Sequence, residues 1–273
     1  MLIRTCAAAA LLAVWFAMAA VGAKAQSRED VTSQSGRAAR KAILSMEAKG
    51  WTLAFHDEFD GKALDTTRWI DSYPDNVRTH SNNEQQYYAT DGYGFSKGLL
   101  RLKAERRSME HMPYTSGMVT TYGKFAQKFG WFEIRCRMPK GKGMWPAFWL
   151  LPSNKTWPPE IDVLEILGHE TDKVYLTNHY TNATGQHEGK GDSYKGPDFA
   201  AGFHAFAVDW APGSITWYVD GIERYRTKDN IPAEPMYVLA NLAVGGDWPG
   251  NPDDSTVFPN TMDIDYIRVY RKK

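Results

Sequence analysis

Three carboxylates fall within six residues of the segment Pro159-Glu160-Ile161-Asp162-Val163-Leu164-Glu165-Ile166-Leu167-Gly168. Acids held this close repel one another, and the repulsion raises the proton affinity of at least one of them. A carboxyl that keeps its proton near neutral pH can serve as a general acid. An ionised neighbour can serve as a nucleophile or base. In an extended strand Glu160 and Asp162 point to one face, and Ile161 and Val163 to the other. Strict alternation would send Glu165 to the apolar side, where burying a lone carboxylate is costly. One extra residue, a β-bulge near Val163-Leu164 with Leu164 as the insertion, returns Glu165 to the face of the other two. Taken alone, E-x-D-x-x-E also describes an exposed strand whose acidic face is simply solvated, so the neighbouring residues decide.

Those neighbours are aromatic. Upstream runs Gly141-Lys142-Gly143-Met144-Trp145-Pro146-Ala147-Phe148-Trp149-Leu150-Leu151-Pro152; downstream come Asn178-His179-Tyr180 and Gly245-Gly246-Asp247-Trp248-Pro249-Gly250. The chain holds 10 Trp, 14 Tyr and 12 Phe. Such rings fill cores, but they also make platforms for flat ligands such as sugars. Paired carboxylates beside aromatic platforms are the equipment for cleaving a glycosidic bond. Phe148 and Trp149 suit a core role at least as well as a sugar contact. His169, His187 and His204 read as structural or surface residues.

Short strands must carry these groups. From Trp51 onward, runs of four to eight residues alternate apolar and polar between Gly, Pro, Asn and Asp, the signature of strands and turns. Leu100, Leu102 and Ala104 alternate with Arg101, Lys103 and Glu105; Phe132, Ile134, Cys136 and Met138 alternate with Glu133, Arg135 and Arg137. Further strands are expected at 205–210, 215–219, 236–244 and 262–270. No stretch after Trp51 sustains a helical period for three turns. Residues 51–273 therefore read as one all-β sandwich or barrel domain. Residues 26–50 read as a spacer with a short helix around Arg37–Leu44.

The first 25 residues read as a cleaved signal peptide. Arg4 is the positive n-region, Ala7 to Ala20 the apolar run, and Ala23-Lys24-Ala25 the small-x-small site before Gln26. The apolar run is shorter than the ~20 residues that a membrane span needs. The expectation is a secreted or periplasmic protein with no membrane association after cleavage. Cys6 would leave with this segment, so Cys136 would stand alone and no intrachain disulfide could form. Lys and Arg total 32 against 32 Asp and Glu, a balance that argues against nucleic acid as a partner. A hydrophobic fraction of 43% argues against a disordered chain.

At these residues the chain resembles glycoside hydrolase family 16, in particular its bacterial laminarinase-like endo-β-1,3(4)-glucanases. The resemblance covers almost all of 51–273. It is carried, in order, by His56-Asp57-Glu58-Phe59-Asp60-Gly61, Asn82-Asn83-Glu84-Gln85-Gln86-Tyr87-Tyr88, Gly130-Trp131-Phe132-Glu133, the Trp-Pro-Ala-Phe-Trp run, the acidic motif, Asn241-Leu242-Ala243-Val244-Gly245-Gly246, and Asp265-Tyr266-Ile267-Arg268-Val269-Tyr270. It implies a β-jelly-roll sandwich of two antiparallel sheets with a concave substrate cleft, and endo-acting hydrolysis of β-1,3 or mixed β-1,3-1,4 glucan with retention of configuration. By the same resemblance Glu160 is the nucleophile, Glu165 the acid/base and Asp162 their helper. Trp145 and Trp248 are sugar platforms, Asn83 and Glu84 hydrogen-bond the sugar, and His179 contacts the acid/base. No cofactor is required for catalysis. A structural calcium is expected at Glu58, the Gly98 backbone and Asp265, since oxygen ligands suit that ion. The enzyme is expected to act as a monomer on a polysaccharide. A glucan transglycosylase and a non-catalytic polysaccharide-binding lectin are the alternatives. Thr115-Ser116-Gly117-Met118 departs from relatives that often carry Arg at the last position, which bears on glucan preference. Asn154-Lys155-Thr156 and Asn182-Ala183-Thr184 are glycosylation sequons.

Overall fold

The computed structural model describes residues 41–273; the expected signal peptide and most of the expected spacer lie outside the described residues. Residues 41–48 are helical, and among the described residues no helix is long and apolar enough to cross a membrane. The rest is built from strands: β1 (Trp51–Asp57), β2 (Gln86–Tyr88), β3 (Tyr93–Phe95), β4 (Leu100–Ala104), β5 (Tyr114–Ser116), β6 (Met118–Thr120), β7 (Gly130–Arg137), β8 (Met144–Pro152), β9 (Glu160–Glu165), β10 (Lys173–Thr181), β11 (His187–Lys195), β12 (His204–Ala211), β13 (Ser214–Val219), β14 (Ile222–Thr227), β15 (Met236–Val244) and β16 (Asn260–Lys272).

Two antiparallel sheets hold most of them. One runs β14-β13-β12-β7-β16-β4-β3, with β1 also on β16; the other runs β11-β10-β9-β8-β15-β6. Alternation along the strands makes the core between them. Leu100, Leu102 and Ala104 of β4 are fully buried, as are Phe132, Ile134 and Cys136 of β7. Strand β15, between β8 and β6, is buried on both faces. Met236, Val238, Ala240, Leu242 and Val244 join the main core. Tyr237 and Leu239 join a second cluster with Tyr73, Tyr88, Met118, Ala147 and Trp149. Phe148 lies in the main core, so Phe148 and Trp149 take opposite faces of β8.

One core contact bears directly on the acidic strand. Trp217 of β13 reaches across the sandwich, and its indole N–H donates to the backbone oxygen of Asp162 at 2.8 Å. A bulge leaves backbone groups without a ladder partner, and a buried orphan carbonyl would be costly. Trp217 supplies a partner at that point.

Candidate active site

The bulge that the acidic motif requires is present in β9. Across β8, Phe148 pairs with Leu164 and Trp149 with Asp162, so the register passes over Val163. Across β10, Tyr175 pairs with Glu165 and Thr177 with Asp162. The inserted residue is thus Val163, not Leu164 as expected from the sequence. Both side chains are fully buried in the main core. Two consecutive inward residues break the alternation, and Glu160, Asp162 and Glu165 all face the cleft.

The cleft has a volume of about 980 Å³. Alternate residues of the neighbouring strands line it: Trp145, Ala147, Trp149 and Leu151 from β8, Tyr175, Thr177 and His179 from β10, and Tyr237, Asn241 and Ala243 from β15. The acids sit in its floor, with side-chain exposures of 14% for Glu160 and 3% for Asp162. Burial, reinforced by the charge of Asp162, pushes Glu160 up to about 8. Burial and the charge of Glu165 push Asp162 up to about 6. Burial and the charge of Glu160 push Glu165 up to about 7. Buried beside each other, Glu160 and Asp162 resist carrying two charges at once.

Three side chains hold the acids from above. Trp145 Nε1 donates to Glu165 Oε1 at 3.0 Å, and Trp157 Nε1 donates to Glu160 Oε2 at 2.7 Å. His179 Nε2 lies 3.0 Å from Asp162 Oδ2 and 3.8 Å from Glu160 Oε1. Its N–H does not point along the shorter line, since Asp162 Oδ2 has no hydrogen-bond partner among the described residues; the contact is an ion pair. Burial alone would lower the imidazole, but the surrounding acids, Asp162 first, push it up to about 9. His179 therefore meets the helper and the proposed nucleophile, and not the acid/base as the resemblance implied. Glu160, Asp162 and His179 place ligand atoms within 4.8 Å of one another, and the positive charge in that triangle is the imidazolium itself.

The other expected residues divide. Trp248 is 41% exposed and walls the cleft, edge-on to Trp145 at 5.6 Å and to Tyr175 at 4.6 Å between ring centroids. Glu84 lines the cleft but is buried, accepting from Gln86 Nε2 at 2.6 Å. Asn83 does not line it. Its amide donates to Asp247 Oδ1 at 2.8 Å, tying two cleft loops together, while the adjacent Asn82 faces the cleft. Met118 is fully buried in the cluster with Trp149 and Tyr237. Sequence reasoning missed Trp157, 55% exposed and lining the cleft beside Glu160, and also His80 and His187, both of which line the cleft.

The expected calcium ligands do not fit that ion as they stand. Both oxygens of Glu58 accept from the buried Arg268, at 2.8 and 2.6 Å. Burial would raise Glu58, but Arg268, with His56, pulls it down to about 2. Asp265 pairs with Arg135. Gly98 is close by, since a Cβ there would lie 3.1 Å from Asp60 Oδ1. Carboxylates already held by guanidinium groups offer a cation few free oxygens.

A two-sheet jelly roll whose inner sheet presents three perturbed carboxylates between exposed tryptophans belongs to the carbohydrate-cleaving class of β-sandwiches. The sequence profile of glycosyl hydrolases family 16 matches residues 75–268, and the chain belongs to that family. It is 42% identical over 253 residues to the endo-1,3-1,4-beta-glycanase ExsH of Rhizobium meliloti (strain 1021), covering 83% of this chain and 53% of that protein. It is 34% identical to the beta-glucanase of Rhodothermus marinus, covering 83% of this chain and 87% of that protein. The crystal structure of the laminarinase catalytic domain from Thermotoga maritima MSB8 superposes with a TM-score of 0.75 at 36% identity, covering 82% of this chain and 99% of that one. The chain spans about half the length of the Rhizobium meliloti relative.

Proposed function

We propose that the protein is an exported, monomeric endo-β-glucanase that cleaves β-1,3 or mixed β-1,3-1,4 glucan with retention of configuration. The observation that carries this reading is the placement of Glu160, Asp162 and Glu165 on one face of a bulged strand, between Trp157 and Trp248, in a cleft open to a polymer. The relatives named as glucanases and laminarinases support the substrate class.

In the first step Glu165 gives its proton to the glycosidic oxygen while an oxygen of Glu160 bonds to the anomeric carbon, and the C–O bond to the leaving sugar breaks. In the second step water attacks that carbon, Glu165 takes the water proton, and Glu160 departs as a carboxylate. Burial favours a proton on Glu160, and Glu160 must be ionised to act as the nucleophile. The Trp157 N–H favours this, because a donor to Glu160 stabilises its charged form. Capture of the intermediate by a sugar hydroxyl instead of water would make the enzyme a transglycosylase.

The test is a panel of laminarin, lichenan, agar and carrageenan with sizing of products. Laminarin or lichenan should give new reducing ends and mid-sized oligosaccharides from the first minutes. Equal or better activity on agar would overturn the glucan assignment. Binding without new reducing ends would make the protein a lectin, and longer products at high oligosaccharide concentration would reveal transfer.

The perturbed acids also set a pH dependence. Burial and the neighbouring acids raise Glu160 and Asp162 above the ordinary carboxylate range, so the nucleophile is lost as the pH falls to values at which a free carboxylate would still be ionised. Above about 7 Glu165 loses the proton it must donate. The imidazolium of His179 persists to about 9 and limits neither side. kcat/KM should follow a narrow bell whose acid limb lies above the free-carboxylate range and whose basic limb lies near pH 7. Activity that climbs steadily to pH 9 would show that no group titrating near 7 has to hold a proton.

A further inference from the structure

Strand β11 forms one edge of the inner sheet and is exposed along nearly all its length, yet two of its residues press on the catalytic group. Gly189 is the direct cross-strand partner of His179. A Cβ built on Gly189 would lie 2.9 Å from both Cε1 and Nδ1 of the His179 ring, nearer than real Cβ contacts come. Only glycine leaves the imidazole its place. His187 stands two residues before Gly189, on the same face, in the diagonal position from which a long or aromatic side chain reaches its neighbour. Its ring stacks on that of His179, with centroids 5.1 Å apart and planes 24° apart, and His187 Nε2 lies 2.9 Å from His179 Nδ1. The same ring packs against Trp157 at 4.5 Å between centroids.

Two paths therefore run from His187 to the acids. One passes through His179 to Asp162 and Glu160. The other passes through Trp157, whose indole N–H donates to Glu160. The groups facing His179 are Glu160, Asp162 and Glu165 from β9 and His187 from β11. With three acids on one side, His179 carries a proton on both ring nitrogens, so its Nδ1–H needs an acceptor. His187 Nε2 is that acceptor when His187 is neutral with its own proton on Nδ1, and burial together with the adjacent cation holds its proton affinity down.

We infer that His187 and Gly189 are positioning residues for the catalytic acids: His187 fixes the His179 ring through the Nδ1 contact and braces Trp157 by stacking, and Gly189 provides the space in which that ring lies. This rests on the catalytic reading of Glu160, Asp162 and Glu165 given above.

The test uses His187→Phe, which keeps an aromatic ring against Trp157 but removes the acceptor, and His187→Gln, whose carbonyl oxygen can replace Nε2. Losing one hydrogen bond to a charged group should lower kcat about 10- to 100-fold in His187→Phe, with KM changed less than twofold. The NMR titration midpoint of the His179 imidazole should fall by about one pH unit, the shift that a lost charge-assisted hydrogen bond brings. His187→Gln should recover most of both, and Gly189→Ala should lose kcat as His187→Phe does while keeping the wild-type circular dichroism spectrum. Wild-type kcat with an unshifted His179 titration in His187→Phe would overturn the proposal. So would a rise in KM alone, which would make His187 a sugar contact, or equal losses in the Phe and Gln variants. The imidazole titration is read without substrate, so it reports on β11 even if Glu160→Ala proved active and the catalytic reading itself failed.

Discussion

Glu165→Ala is expected to lose several orders of magnitude in rate on laminarin, and azide is expected to restore turnover of an activated aryl β-glucoside while giving a β-glycosyl azide. General acid catalysis alone contributes on the order of 10² to 10⁴ in rate, and a natural polysaccharide leaving group needs that proton. An aryl leaving group does not, so Glu160 still forms the covalent intermediate, and the small anion attacks it from the face that Glu165 has vacated. In Glu160→Ala the anion must take the nucleophile's own place, and one displacement on a β-glucoside then gives an α-glycosyl azide. The opposite pairing of anomers would exchange the two roles. Asp162→Asn should cost less than either, because the amide still offers Glu160 a donor. It should also move the acid limb of the pH profile down, since the Asp162 charge that helps to raise Glu160 is gone.

The part of this site that could be read in the sequence is the part set by local geometry. A strand alternates strictly, and a carboxylate facing a core is costly, so E-x-D-x-x-E between apolar residues demands a bulge wherever it lies. The partner strands decide which residue is inserted. Val163 and Leu164 are both apolar and both buried, and only the pairing of Phe148 and Trp149 across β8 distinguishes them. The same holds for His179. It sits opposite Glu160 in register, but its ring leans to Asp162, a tilt set by Gly189 and His187 on the far side. Those two could have been found by folding 179–189 about the turn at Asn182–Gly185, which places Gly189 opposite His179. Trp157 follows no period because it lies in a proline-rich loop. Asn82 and Asn83 both have positive φ, 66° and 55°, and the backbone there decides which side chain enters the cleft. Glu58 and Arg268 are 210 residues apart, and nothing local announces that a carboxylate expected to bind a cation already has one.

Adding one Ala between Val163 and Leu164 is expected to abolish activity, whereas deleting Val163 is expected to leave it measurable. The two changes look symmetrical in the sequence and differ in the strand. With Val163 removed, Glu160-Ile161-Asp162-Leu164-Glu165 alternates without a bulge, all three acids keep the cleft face, and Phe148–Leu164 and Trp149–Asp162 remain paired. The cost is one buried side chain and the packing around it, roughly 1–3 kcal/mol, which should appear as a lower melting temperature. The insertion has two ways to settle, and both fail. If the bulge is kept, a one-residue shift turns Glu165 into the core, where an ionised carboxyl is expensive to bury. If the bulge is ironed out, Glu165 returns to the cleft but moves on by about 6–7 Å, two residues of strand, away from Trp145 and from Glu160. A loss of at least 10³ in rate is expected from either arrangement, the scale of losing the general acid. Reducing-sugar assays on laminarin, with circular dichroism to confirm the fold, check both variants. A fully active insertion would show that Glu165 does not work from the face assigned to it, and an inactive but folded deletion would show that the bulge itself shapes the catalytic pair.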